Sequence, residues 1–114
     1  MPINRERSRT VIYSFTFLGE DYSVSSWRDF FIKFIEILGS KHSDFVDKAI
    51  QIKGKKRPYF TKNKNLLRVP VFIDNIGLYV ETNFSSRDII KIIYALLEIF
   101  GYQKHDLKVE TNDI

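Results

Sequence analysis

Val11-Ile12-Tyr13-Ser14-Phe15-Thr16-Phe17-Leu18-Gly19-Glu20-Asp21-Tyr22-Ser23-Val24 decides the fold. Tyr13, Phe15 and Phe17 alternate with polar residues at the period of a half-buried strand. Gly19-Glu20 suits a two-residue turn with glycine first, the type II′ pattern. That turn sets Phe17 opposite Tyr22 and Phe15 opposite Val24. One face of the hairpin is then apolar on both strands, and it needs a layer to cover it.

The covering layer follows in the chain. Ser26, with Asp29 three residues on, approximates a capping box in which Asp replaces Glu. Phe30, Phe31, Phe34, Ile35 and Leu38 form one helical stripe, and Gly39 is a natural stop. A short second helix is expected from Asp44 to Ile50, capped by Ser43. Tyr59-Phe60-Thr61 starts a strand. Leu66 to Ile73 and Gly77 to Thr82 form a second hairpin across Asp74-Asn75-Ile76-Gly77, with Pro70 confining its strand to an edge or a bulge. Ser85 and Asp88 cap the last helix, whose stripe is Ile89, Ile93, Leu96, Leu97 and Phe100, and Gly101 closes it. Leu107 and Val109 alternate in a final strand. The expected fold is a single α+β domain over residues 11–114, in the order ββα(α)ββαβ. Two main helices would lie on one face of a mostly antiparallel sheet. Residues 1–10 read as a flexible basic arm with Arg5, Arg7 and Arg9. The two halves echo each other: Ser25-Ser26-Trp27-Arg28-Asp29 beside Ser85-Ser86-Arg87-Asp88.

Composition narrows the function. The chain has 114 residues, 44% hydrophobic and 28% charged, enough for one core and too apolar for a disordered chain. It has no cysteine, which excludes disulfides, Cys-ligated zinc and a thiol nucleophile. No apolar stretch is long enough to span a bilayer, and the polar start is unlike a secretory signal. A cytoplasmic location without membrane association is expected.

The net charge of +4 is unevenly spread. Residues 53–68 hold Lys53, Lys55, Lys56, Arg57, Lys62, Lys64 and Arg68 and no acid, whereas 11–52 and 69–114 are each net acidic. A concentrated basic stretch in an acidic fold points to a local anionic partner. These side chains can neutralise phosphates. Tyr59 and Phe60 sit among them, either as stacking platforms or as core. Arg57 has the fork that grips guanine in a major groove.

Other chemistry is poorly supplied. Asp74 and Glu81 flank the second hairpin, but no further acid or lysine pair gathers as a metal-dependent nuclease needs. His42 and His105 lack ligand-spaced partners. There is no nucleophile elbow or phosphate loop. The chain is expected not to be an enzyme and to need no cofactor. Tyr79, Tyr94, Tyr102 and Trp27 are candidate interface anchors, each with a core reading beside it.

Ile52-Lys53-Gly54-Lys55-Lys56-Arg57-Pro58-Tyr59-Phe60, Tyr79-Val80-Glu81-Thr82-Asn83 and Phe100-Gly101-Tyr102 together resemble a small uncharacterised prokaryotic domain. It recurs alone or appended to restriction-type and mobile-element proteins. The resemblance covers roughly residues 13–110 and carries no known activity. It implies a phage, plasmid or defence setting, where nucleic acid is the common ligand. The leading expectation is therefore non-catalytic nucleic-acid binding, with DNA favoured, through Lys53, Lys55, Lys56, Arg57, Tyr59, Lys62, Lys64 and Arg68. The rival is a protein-interaction module or small inhibitor that docks on an acidic or nucleic-acid-binding partner surface.

Overall fold

In the computed structural model, β1 (Thr10–Phe17) and β2 (Glu20–Ser23) form the first hairpin, followed by α1 (Trp27–Lys41) and α2 (Phe45–Ala49). Next come β3 (Phe60–Thr61), β4 (Pro70–Ile73), β5 (Leu78–Glu81), α3 (Ser86–Ile99) and β6 (Leu107–Asp113). The structure describes residues 10–54 and 57–113. The basic arm, apart from Thr10 in β1, lies outside them, as do Lys55 and Lys56.

The α+β class is the expected one and the order differs from ββα(α)ββαβ only by the two-residue β3, but the strands make two sheets rather than one. The first runs β2-β1-β6 and the second β3-β5-β4, all pairs antiparallel. Hairpin strands neighbour each other locally, whereas sheet membership depends on contacts distant in sequence. The inner faces of both sheets and the apolar stripes of the helices still close into one core. Phe15 and Phe17 meet Phe30 and Phe34 of α1 with ring centroids 5.0 Å apart in each pair. Phe45 of α2 meets Phe60 of β3 at 5.8 Å. Of the two placements that Pro70 allows, edge or bulge, β4 takes the edge.

The first hairpin has a different register from the expected one. Phe15 pairs with Tyr22 and Phe17 with Glu20, so the turn residues are Leu18 and Gly19. Both have positive φ, 53° and 84°, the requirement of a type I′ turn. The shift preserves strand parity, so Phe15 and Phe17 remain buried and Tyr22 stacks on Phe15. Tyr13 departs from the alternation. It is 47% exposed while Ile12 is 1% exposed, because the pairing with β6 jumps from Ile12 to Ser14. Tyr13 is the extra residue of a β-bulge, which moves the inward position back by one.

The helix caps follow the sequence. Asp29 N donates to the Ser26 hydroxyl at 3.0 Å, and Asp88 N to that of Ser85 at 3.2 Å. Gly101, with φ 84°, ends α3, and Tyr102 N donates to Leu97 O at 2.8 Å, as a left-handed stop requires. Gly39, in contrast, does not end α1, which continues to Lys41. Its role is close approach: a Cβ there would collide with Ile76 of the β4–β5 turn. Asn75 of that turn donates to Glu36 O at 2.8 Å, which pins the second hairpin to α1. The short α2 begins after Asp44 rather than Ser43, without a side-chain cap.

Candidate nucleic-acid interface

The basic segment starts as a tight reversal. Lys53 bridges to Pro58, and Gly54 N donates to Arg57 O at 3.0 Å. Gly54 packs against Tyr59, where an added Cβ would lie 3.2 Å from the ring edge. Tyr59 is then held edge-on to Phe84, with centroids 5.2 Å apart. Of the two readings open for Phe60, stacking platform or core, the core is the one realised: it is fully buried. Alternation decides this: Phe60 lies opposite Val80 on the inner face of the second sheet.

A cleft of about 320 Å³ opens between this reversal and the end of β5. Gly54, Arg57, Pro58, Tyr59, Arg68, Glu81, Asn83 and Phe84 line it. Three of the expected site residues, Arg57, Tyr59 and Arg68, therefore share one concave surface. Lys53 lies beside it through its bridge to Pro58. Lys62 follows β3, and Lys64 opens a 3₁₀ turn, Lys64–Leu66, so neither belongs to the cleft lining. Lys53, Arg57, Lys62, Lys64 and Arg68 are all exposed. Among the described residues, none of the five makes an ion pair.

Glu81 builds the cleft wall. It is only 6% exposed. Its carboxylate accepts N–H groups from Arg68 at 2.7 Å, Val69 at 3.0 Å and Asn83 at 3.0 Å. Burial alone would raise its pKa, but backbone N–H groups from Arg68, Asn83, Val69 and Thr82 together hold it below the ordinary value. The charge is thus used to fix backbone. Thr82 continues the same joint, donating to Val69 O at 2.8 Å and accepting from Arg28 Nε at 3.2 Å. Arg28, from the first turn of α1, is thereby brought to the end of β5.

Asn83 was not singled out from sequence. It is exposed beside Arg57 and Arg68, and its amide both donates and accepts. The signal was present in the Tyr79–Asn83 stretch, but no local pattern separates a cleft asparagine from a turn asparagine.

The remaining candidates have other partners. His42 caps α1 and bonds the Tyr102 hydroxyl at 2.7 Å. Burial first, and then the Asp106 charge, raises the Tyr102 pKa. His105 is exposed beside Asp106. Trp27 donates to Thr10 O at 2.8 Å, fastening the start of β1. Asp74 lies exposed in the β4–β5 turn. Among the described residues no group of three His, Asp or Glu side chains is placed to hold a metal ion, and no helix is long and apolar enough to cross a membrane.

No family model matches the chain, and no solved structure matches it. The chain is similar to a negative modulator of initiation of replication from Pseudoalteromonas atlantica, 29% identical over 82 residues. The match covers 67% of this chain and 47% of that protein, so this chain aligns with about half of its relative's length.

Proposed function

We propose that this domain is a non-catalytic nucleic-acid-binding module that acts on DNA as an accessory part of a larger regulatory or defence process in the cytoplasm. One observation carries the reading: Arg57, Arg68 and Asn83, all exposed, converge on one cleft walled by Tyr59. Arginine forks and an asparagine amide are the groups that recognise phosphates and base edges. Lys53, Lys55, Lys56, Lys62 and Lys64 extend the positive field on either side of Arg57 in sequence, and they supply affinity that does not depend on base identity. The replication-modulator relative supports a DNA-related regulatory role, and the sequence resemblance supports a phage, plasmid or defence setting.

The test is a binding titration with duplex DNA, single-stranded DNA and RNA probes at two salt concentrations. Binding that weakens steeply with salt is expected. Arg57→Ala should lower preference between DNA sequences by about 1–3 kcal/mol if its fork reads a base. Lower stability without a selective effect on binding would instead make Arg57 structural.

A second reading, a protein-interaction module, draws on a separate open groove of about 1000 Å³ beside the C-terminal half of α3. Exposed Tyr94 lies in this groove, with the Lys104 ammonium 4.8 Å from its ring centroid. Absence of binding to every nucleic-acid probe would move this reading to the front.

A further inference from the structure

The second sheet has an outer face that the core does not use. Phe60, Val80, Ile73 and Leu78 point inward and are buried. Pairing across the three strands sets Thr61 opposite Tyr79, and Tyr79 opposite Phe72, so these residues form a transverse row on the other face. Phe72 is 48% exposed, and its ring centroid is 5.0 Å from that of Tyr79. What sets Phe72 apart from other exposed apolar side chains such as Leu66 and Ile50 is its ring partner, Tyr79, on the same open face of the sheet.

The charge around the row indicates what it receives. Tyr79, Glu81 and Asn83 follow one another at strand period along β5 and its exit, so the row and the cleft are successive steps along one strand. Arg57 and Arg68 line the cleft end, and exposed Lys62 adjoins Thr61. The acid between row and cleft, Glu81, accepts backbone N–H groups at both oxygens and is buried. Asp74 lies beyond Ile73, at the end of the hairpin away from the cleft. A second copy docked on this face would bring two sets of the same cations together. Aromatic faces with a cationic border are the platform on which unpaired bases stack.

We propose that this outer face is a stacking platform for unpaired bases, so that the nucleic acid bound at the cleft is engaged as a single strand. Bases lie on Phe72 and Tyr79 while their phosphates meet Arg68, Arg57 and Lys62. The proposal rests on the nucleic-acid reading of the cleft and adds the strandedness of the ligand to it.

The experiment measures anisotropy of a fluorescein-labelled oligothymidylate and of a duplex of equal length. It uses the full chain and the variants Phe72→Ala, Tyr79→Ala, Phe72→Tyr and Arg68→Ala. Each protein is first checked by a thermal melt and by sedimentation. Phe72→Ala and Tyr79→Ala are each expected to weaken single-strand binding about tenfold, within the range for loss of one base–aromatic stack. Duplex affinity should be unchanged, and Phe72→Tyr should bind as the unaltered chain does. If Arg68→Ala weakens binding of both probes and the ring variants weaken neither, the platform is overturned while the cleft reading stands. If the unaltered chain binds neither probe, both fail. If the ring variants turn a dimer into a monomer without changing single-strand affinity, the face joins copies of the chain and the platform is overturned.

Discussion

Glu81 accepts the backbone N–H of Arg68 at 2.7 Å, so a buried carboxylate on β5 fixes the chain at the exposed arginine of the neighbouring strand's approach. The same carboxylate holds Val69 and Asn83. Two candidate binding residues, Arg68 and Asn83, thus hang on one charge that need not touch a ligand.

Strong acid should therefore remove the charge that holds the cleft. The Glu81 pKa in the folded protein is held below its ordinary value of 4.5. Its stabilising contribution is fully present above that value and is lost as pH falls through the lowered one. A Glu81→Gln variant should lose about 2 kcal/mol near neutral pH, as charged hydrogen bonds do. Its melting temperature should also fall less steeply below the ordinary carboxylate range. Parallel acid limbs for variant and parent, measured by thermal melts across pH, would remove Glu81 as the holding charge.

The first hairpin offers a gain in stability. Leu18 occupies a left-handed conformation at φ 53°, which costs a branched residue roughly 1–2 kcal/mol. It is exposed, so little packing is lost on replacement. Leu18→Asn creates Asn-Gly, the favoured pair for a type I′ turn. Denaturant unfolding should show a gain of about 1 kcal/mol with unchanged m-value.

Gly39 should behave contrary to helix propensity. Alanine is ordinarily better than glycine inside a helix by about 0.8–1.0 kcal/mol. Here the added methyl meets the branched side chain of Ile76, and α1 would be pushed from the β4–β5 turn. Gly39→Ala should lower the melting temperature; a rise would mean that the turn can yield freely.

Where the sequence could be read, the cause was local. Ser26 and Ser85 are caps because each is followed three residues later by the N–H that it accepts, and the Phe30–Leu38 stripe is visible as a period. Leu18 was hidden because a leucine at positive φ breaks the usual turn preference, which favoured Gly19 as first turn residue. Gly39 looked like a stop because its neighbour, Ile76, arrives from far along the chain. The cleft had the same difficulty. The charge run marked Arg57 and Arg68, but only the fold joins them to Asn83, and only alternation against Val80 separates inward Phe60 from half-exposed Tyr59.

The most direct test of nucleic-acid binding is the salt dependence of DNA affinity for the parent chain and for a variant with Lys53, Lys55, Lys56 and Lys62 all replaced by Ala. If each lysine meets one phosphate, the slope of log affinity against log salt should flatten by about 0.7 per lysine on single-stranded DNA and about 0.9 on duplex, or roughly three to four in all. The melting temperature should barely move: Lys53 and Lys62 are exposed and make no ion pair among the described residues, and such charges contribute little to stability. A parent chain that binds no nucleic acid at low salt would contradict the account.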